Sequence, residues 1–436
     1  MGSILVLYYA ARAPLRRTIA DHLNSIRRYS GRPCIYVNLA VGPVPSWVQR
    51  LDIGLVVFHT TLLATRWFPE SLRRIARRLG AIQGLACRRI AIPQDEFLNT
   101  DLLVDFLREF RVDHVFTCAP PDEWQTIYGP LMSGGVGLTR VLTGYLEPRA
   151  VRRIRQLATT TRERDIDIGY RSWKPEPWLG RHGMLKGWIA ERFAEEGRRL
   201  GLRVDISMDP ADTLMGDAWD RFLLRSRFTI GVEGGASILD RDGRIRTCVN
   251  AYSAEHPDAS FEEIEQSCFP GLDGTFNLRA ISPRHLEACA TRTPQILIEG
   301  SYNGILEPRT HYIPLRPDFA NLSEALEEIV SGDGATQMAE RAYRDVVASG
   351  NYTYESFVAT LLASVPADTR QVRAGRSIPI RAISAWGAAA DRVSWVRVWV
   401  RPRLKGIAKE TLRRAGLLES ARRTRRRLRA RSGREV

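Results

Sequence analysis

Short apolar runs alternate with helical patterns through the first 150 residues, and this alternation confines the chain to βαβ units built on a parallel sheet. Expected strands run from Ile4 to Tyr9, Cys34 to Asn38, Ile53 to Phe58, Arg89 to Ile92 and His114 to Cys118. Expected helices between them run from Leu15 to Tyr29, Glu70 to Leu79, Thr100 to Phe110 and Asp122 to Tyr128. A doubly wound α/β sheet follows, because parallel neighbours require crossover connections.

The Arg- and Thr-rich stretch from Pro148 to Arg164 reads as a linker, after which the alternation resumes. The second unit has expected strands at Ile166 to Tyr170, Arg203 to Ser207, Phe228 to Val232, Gln295 to Glu299 and His311 to Leu315. Helices are expected from Leu185 to Leu200 and Gly216 to Ser226, and three more, Leu322 to Ser331, Gln337 to Ser349 and Glu355 to Leu362, close the unit. The expected organisation is therefore two tandem Rossmann-like domains, residues 1–155 and 165–365, followed by a basic tail over 366–436. No internal sequence repeat accompanies them.

Length and charge agree with this division. A chain of 436 residues exceeds one compact core, and 44% hydrophobic content supports globular packing. The formal net charge is +15, but nineteen Lys and Arg against four acids fall between Gln371 and Val436, so the remaining 370 residues are neutral. A basic body of the kind that binds nucleic acid is therefore absent, and attraction to polyanions is confined to the tail. The six cysteines show no C-x-x-C pair and no zinc-like spacing, which points to reduced, mostly buried thiols in a cytoplasmic protein. No apolar run approaches the roughly 18 residues of a membrane span, and the N-terminal run is too short for a signal peptide.

In open α/β sheets ligands bind beyond the carboxyl ends of the strands, so polar residues placed there are the candidates. The segment Gln295 to Glu307 delivers Glu299 at a strand end and Glu307 eight positions later, with a further strand behind it. Taken alone it is also compatible with a strand end and a solvated loop. In its setting it resembles the Glu-x7-Glu motif of the group 1 glycosyltransferases, whose fold is the two-domain GT-B architecture. The resemblance implies that Glu307 binds the ribose of a nucleotide-sugar donor and that Glu299 lies near the transferred sugar. It also implies that backbone N–H groups at Gly304 and Ile305 meet the diphosphate, that the anomeric configuration is retained, and that neither metal nor cofactor takes part. The segment from Ala342 to Phe357 is similar to the closing helices of bacterial glycosyltransferase-like proteins of polysaccharide biosynthesis.

Other strand ends supply further candidates. The small-residue loop containing Glu233, Gly234, Gly235 and Ser237 looks like a donor-contacting loop, while Asp240-Arg241-Asp242-Gly243 reads as a turn rather than a metal-binding D-x-D. Arg171, with Lys174 or Lys186 in reserve, would neutralise the leaving diphosphate, although a surface arginine beside a packed tryptophan is as good a reading of the residues. In the first domain His59 and Asp95 or Glu96 end neighbouring strands and would orient an acceptor hydroxyl or contact the donor sugar across the cleft, although a structural histidine and an aspartate capping the following turn are equally compatible with the residues. The acceptor implied is a glycan or a lipid-linked glycan. The tail, with ten arginines between Arg413 and Arg434, either engages an anionic membrane surface, placing the enzyme peripherally on its cytoplasmic face, or is merely solvated. A non-catalytic relative that binds a nucleotide sugar or glycan without transferring it is the competing expectation.

Overall fold

The structure is a computed structural model that describes residues 2–11, 15–161 and 163–363. The tail readings for 366–436 lie outside the described residues. In the first half β1 (Ser3–Tyr8), β2 (Cys34–Asn38), β3 (Ile53–Phe58), β4 (Arg88–Ala91), β5 (His114–Thr117) and β6 (Gly137–Arg140) form one sheet in the order β2-β1-β3-β4-β5-β6. Every pairing is parallel, with Leu5 facing Ile35 on one side and Val56 on the other. All six residues of β1 are buried, as a strand with helices on both faces requires. The expected strands agree with β1 to β5 within a residue or two, whereas β6 was not expected: its sequence, Gly-Leu-Thr-Arg, is half-buried at the sheet edge and carries no apolar run.

The second half repeats the plan. Strands β7 (Ile166–Arg171), β8 (Val204–Ser207), β9 (Ser226–Gly231), β12 (Gln295–Ile298) and β13 (Ile313–Leu315) pair in parallel in the order β13-β12-β9-β7-β8. Between β9 and β12 the chain adds an antiparallel ribbon, β10 (Gly234–Ala236) with β11 (Leu278–Ala280), and two helices, Arg244–Glu255 and Phe261–Cys268. In both halves the first strand is flanked by the second and the third, so the chain reverses direction across the sheet beside β1 and beside β7. A doubly wound sheet opens a crevice at that reversal.

Three features tie the halves together. The stretch expected to be a linker is instead a helix, Pro148–Thr160, which buries Val151, Ile154 and Leu157. Val151 and Ile154 join the apolar cluster that holds Leu286, Tyr302 and Tyr343. The inserted helices place Val249, Phe261, Ile264 and Phe269 in the same cluster as Leu5, Leu7 and Phe58 of the first sheet. The last helix, Tyr354–Ala363, crosses back and packs Tyr354, Phe357, Val358 and Leu361 on Ile4, Val6 and Tyr8. Each apolar side chain buried this way contributes about 1.5–3 kcal/mol.

One expectation about the cysteines is corrected. Cys248 and Cys268 form a disulfide between the two inserted helices, with a Cα–Cα distance of 5.6 Å across twenty residues. Antiparallel packing of the helices brings together two cysteines that no short motif links. Cys34, Cys118 and Cys289 are free and buried, and Cys87 is free and partly buried. Among the described residues no helix is long and apolar enough to cross a membrane.

Five histidines among the described residues are buried, His22, His59, His182, His285 and His311, and in the first four burial governs the titration. Burial pushes His22 down to about 4, His182 to about 3 and His285 to about 4, and places His59 well below its usual value. The unfolded chain takes up protons near pH 6.5 and the folded chain does not, so their contribution is complete above that pH and is lost as pH falls toward 4. Each group then removes about 1.4 kcal/mol of stability per pH unit. Urea denaturation followed from pH 7.5 to 4.5 should show a steep fall in midpoint, and a flat profile would contradict the buried, neutral state of these rings.

Candidate functional site

A cleft of about 420 Å³ opens where the two reversals meet. Its walls are the start of the helix Arg17–Tyr29 after β1, residues Arg171 to Trp173 after β7, the loop Asp209 to Gly216 after β8, and the first turns of the helix Pro283–Ala290. Arg171 points along the floor: it donates to the carbonyl of Asp205 at 2.9 Å and to its carboxylate at 2.8 Å, and lies over the Phe222 ring. Arg284 donates to the Arg171 carbonyl at 2.9 Å and lies over Tyr170. Arg17 reaches from the first half to the buried Asp220 of the second through two hydrogen bonds. Arg16 and Arg284, one from each half, line the cleft without a carboxylate ion-pair partner among the described residues.

Beside this cleft Asp95 and Lys186 are electrostatically coupled from opposite halves. Burial and the Arg284 guanidinium push the Lys186 ammonium down to about 8, against the pull of Asp95. Its Nζ lies 5.9 Å from the Trp173 ring centre. Asp95 is exposed and adopts φ 55°, a left-handed conformation that costs a non-glycine residue energy unless its surroundings enforce it. The enforcing group is Arg66, which is fully buried. Its guanidinium donates to the carbonyls of Leu63 at 3.1 Å, Gln94 at 2.7 Å and Leu98 at 3.1 Å, and also to that of Asp95. Asn99 Nδ2 in turn donates to the Arg66 carbonyl at 2.8 Å.

Several expected site residues stand elsewhere. Glu299 is exposed at the carboxyl end of β12, its N–H donating to the Leu315 carbonyl. Glu307 is also exposed, but its N–H donates to His311 Nδ1 at 3.0 Å, at the amino end of β13. Four residues of extended chain, roughly 13 Å, separate those anchors. The physical reason is that no long helix connects β12 to β13: the loop 299–312 must itself carry the chain back, so the two glutamates reach opposite ends of the strand. Gly304 and Ile305 cannot present free amides, because their N–H groups donate to Ser301 and Tyr302 carbonyls within a single tight turn.

The glycine-rich loop is likewise used internally. Glu233 is 1% exposed and accepts from the Ser301 N–H and hydroxyl, both at 3.1 Å, and from the Tyr302 N–H at 2.7 Å. Burial raises its pKa, while those hydrogen bonds favour its charged form. It therefore fastens one loop to another rather than facing a sugar. Gly234 and Gly235 form β10, where Gly235 at φ 128° lies so close to β11 that a Cβ would stand 1.8 Å from the Leu278 carbonyl oxygen. Ser237 donates to Asp273 at 2.6 Å and accepts from the His182 N–H, and Asp273 accepts from the Arg181 N–H, so the first turn of the helix Gly180–Arg199 is already capped.

His59 is also corrected: it is fully buried, with Nδ1 on Thr61 and Nε2 on His22, and caps a short helix instead of opening on the cleft. Glu96 is buried and accepts from Thr117 and the Cys118 N–H. Lys174 is exposed, one residue beyond the cleft wall at Trp173. Asp240 to Gly243 is a capping turn, as the sequence suggested: the Asp240 carboxylate accepts from the N–H groups of Gly243, Ile245 and Arg246. Among the described residues no three His, Cys, Asp or Glu side chains are grouped to hold a metal ion.

Arg16, Arg17 and the loop Asp209 to Gly216 were overlooked, although the strand-end rule points to them. Arg284 and Glu287 follow an insertion rather than a long strand, and only Ser282-Pro283, a helix-start signal, marks their position.

No family model and no curated protein matches the chain. Among solved structures it is similar to Anabaena Alr3699/HepE in complex with UDP, at 12% identity over 83% of this chain and 100% of that one, TM-score 0.45. It is also similar to sucrose-phosphate synthase from Thermosynechococcus elongatus, at 11% identity over 83% and 98%, TM-score 0.46. A third similar structure is AviGT4, a glycosyltransferase involved in avilamycin A biosynthesis, at 11% identity over 83% and 96%, TM-score 0.43.

Replacing Arg66 by Met should leave four carbonyls, those of Leu63 and Leu98 in buried hydrogen bonds, without their donor and cost about 3 kcal/mol or more of stability. Urea denaturation measures it; a loss below about 1 kcal/mol would mean that the 94–98 loop is held by something else.

Proposed function

We propose that the protein is a glycosyltransferase that holds a nucleotide-sugar donor in the cleft between its two halves and transfers the sugar to a glycan or lipid-linked acceptor. The observation that carries this reading is the pair Arg16 and Arg284, guanidiniums from opposite halves that line one cleft at the carboxyl ends of parallel strands without a carboxylate salt bridge among the described residues. When the bond between the anomeric carbon and the diphosphate breaks, negative charge grows on the departing phosphate oxygens. Preorganised guanidiniums stabilise that charge, bidentate and with fixed geometry. Lys186 adds a cation with a lowered pKa, and Asp95 supplies a carboxylate on the opposite side from which an acceptor hydroxyl can be oriented.

In this reading the arginines perform the neutralisation that a metal would otherwise provide, and transfer proceeds without one. Retention of anomeric configuration rests on the resemblance alone, since Glu299 and Glu307 are not brought together. That separation favours a second reading, a protein that binds the nucleotide sugar without transferring it. Proton NMR of the product of a turnover assay distinguishes the two and reads the stereochemistry directly.

Arg284→Gln is expected to lower kcat/KM by about 10²–10³, the range for loss of one preorganised charge donor, while Glu307→Gln leaves it within about twofold. Chelation with EDTA should leave the rate unchanged. The opposite ranking of the two variants would return the donor site to the β12–β13 loop. Attraction of the tail to anionic lipid, at about 1 kcal/mol per engaged arginine, should appear as co-sedimentation with phosphatidylserine vesicles that is lost when residues 371–436 are removed. Equal partitioning of both forms would dismiss a membrane role.

A further inference from the structure

Glu287 stands on the cleft wall, on the helix Pro283–Ala290, with its side chain 15% exposed. One carboxylate oxygen accepts from Trp219 Nε1 at 2.7 Å, and the other lies 3.8 Å from Arg17 Nη2. That guanidinium is already committed to Asp220, which is fully buried and also has Arg153 Nη2 at 3.6 Å. Two carboxyls thus share Arg17, and Glu287 holds the weaker position. Arg284 approaches from its own helix, Asp21 faces Arg17 from the helix Arg17–Tyr29, and Tyr354 lies near from the last helix.

Like charges crowded in a poorly solvated place favour the neutral form of one of them. Burial, assisted by Asp220, pushes the Glu287 carboxyl up to about 7, against Arg17, the Trp219 hydrogen bond and Arg284. At neutral pH it is therefore poised between its two states.

We infer that the cleft takes up its anionic diphosphate together with one proton, and that Glu287 receives that proton. The inference rests on the reading of the cleft as a donor site. Ionised Glu287 repels an incoming dianion and competes with it for Arg284. Once neutral, it leaves Arg284 to the ligand, Arg17 staying on Asp220, and its O–H can donate to a phosphate oxygen. The proton comes from solvent and no covalent bond changes. Linkage is reciprocal: the bound diphosphate raises the proton affinity of Glu287 by the factor by which the proton raises diphosphate affinity.

Calorimetric titration of the full chain with UDP-glucose and with GDP-mannose tests this, because both are diphosphate diesters whose charge is constant between pH 6 and 8.5. Measured at pH 7.5 in two buffers of different ionisation heat, binding should take up a fraction of one proton per ligand. The affinity of the unaltered protein should fall up to about tenfold per pH unit above 7, whereas Glu287→Gln should show a smaller proton uptake and a flat profile between pH 6 and 7.5, declining only where the Lys186 ammonium, lowered to about 8, loses its charge. Binding with equal heats in both buffers and no pH dependence overturns the inference and leaves the donor reading standing. A pH dependence between 6 and 7.5 that survives unchanged in Glu287→Gln also overturns it, assigning the proton to another group. Failure of both ligands to bind at pH 6 removes the donor reading and this inference with it.

Discussion

The geometry of the cleft depends on a short backbone joint between the halves. The Asp240 N–H donates to the Phe97 carbonyl, the Asn99 N–H to the Asp240 carbonyl, and the Asp101 N–H to the Arg241 carbonyl, at 2.7 to 3.0 Å. This is a fragment of parallel ladder made between loops of different halves. Buried main-chain groups must be paired, so the halves cannot separate here without exposing or stranding several of them. Asp240 also caps the helix Arg244–Glu255 with its side chain, and Arg66 fixes the facing loop from below. One residue pair of the chain, Asn99 and Asp240, thus sets the register in which Asp95 confronts Lys186.

Arginine serves two purposes in this protein, and only one is electrostatic in the usual sense. Arg66, Arg89 and Arg164 direct their donors mainly to backbone carbonyls: Arg89 holds Phe110, Ile82 and Leu85, and Arg164 holds Leu223, Thr291 and Arg292. The planar guanidinium satisfies several acceptors that loops leave over at the ends of strands and helices. A count of basic residues therefore says little about affinity for polyanions. What matters at the cleft is Arg16 and Arg284, which line it without a carboxylate salt bridge among the described residues.

The strands of both sheets were legible because buried parallel strands write themselves as short apolar runs, and the strand-end rule then led to Arg171. The elements that escaped lack such a run: β6 is half-buried, and β10 and β11 are three residues each. The glutamate pair misled for a topological reason, since spacing along the chain implies proximity only if a helix returns the chain, and between β12 and β13 none does. Glycines after β9 read as space for a ligand, yet Gly235 makes room for the Leu278 carbonyl, just as Gly300, after β12, makes room for the Glu233 carboxylate. A sequence records that backbone must pass close to something; it does not record what. Cleft residues supplied after the insertion, Arg284 and Glu287, were invisible because their place in space is fixed by packing across 68 residues or more of intervening structure, as the contact of Glu287 with Trp219 and Arg17 shows.

The return of the last helix to the first sheet has a consequence for how the molecule can be divided. Tyr354, Phe357, Val358 and Leu361 cover the face of β1 that presents Ile4, Val6 and Tyr8. A fragment ending near residue 155 would therefore carry a complete run of six strands and still lack the lid of its own core. The boundary visible in the sequence is a boundary between sheets, not between folding units: the chain is sewn shut at its far end, and the first half is finished only when almost the whole described polypeptide has been made.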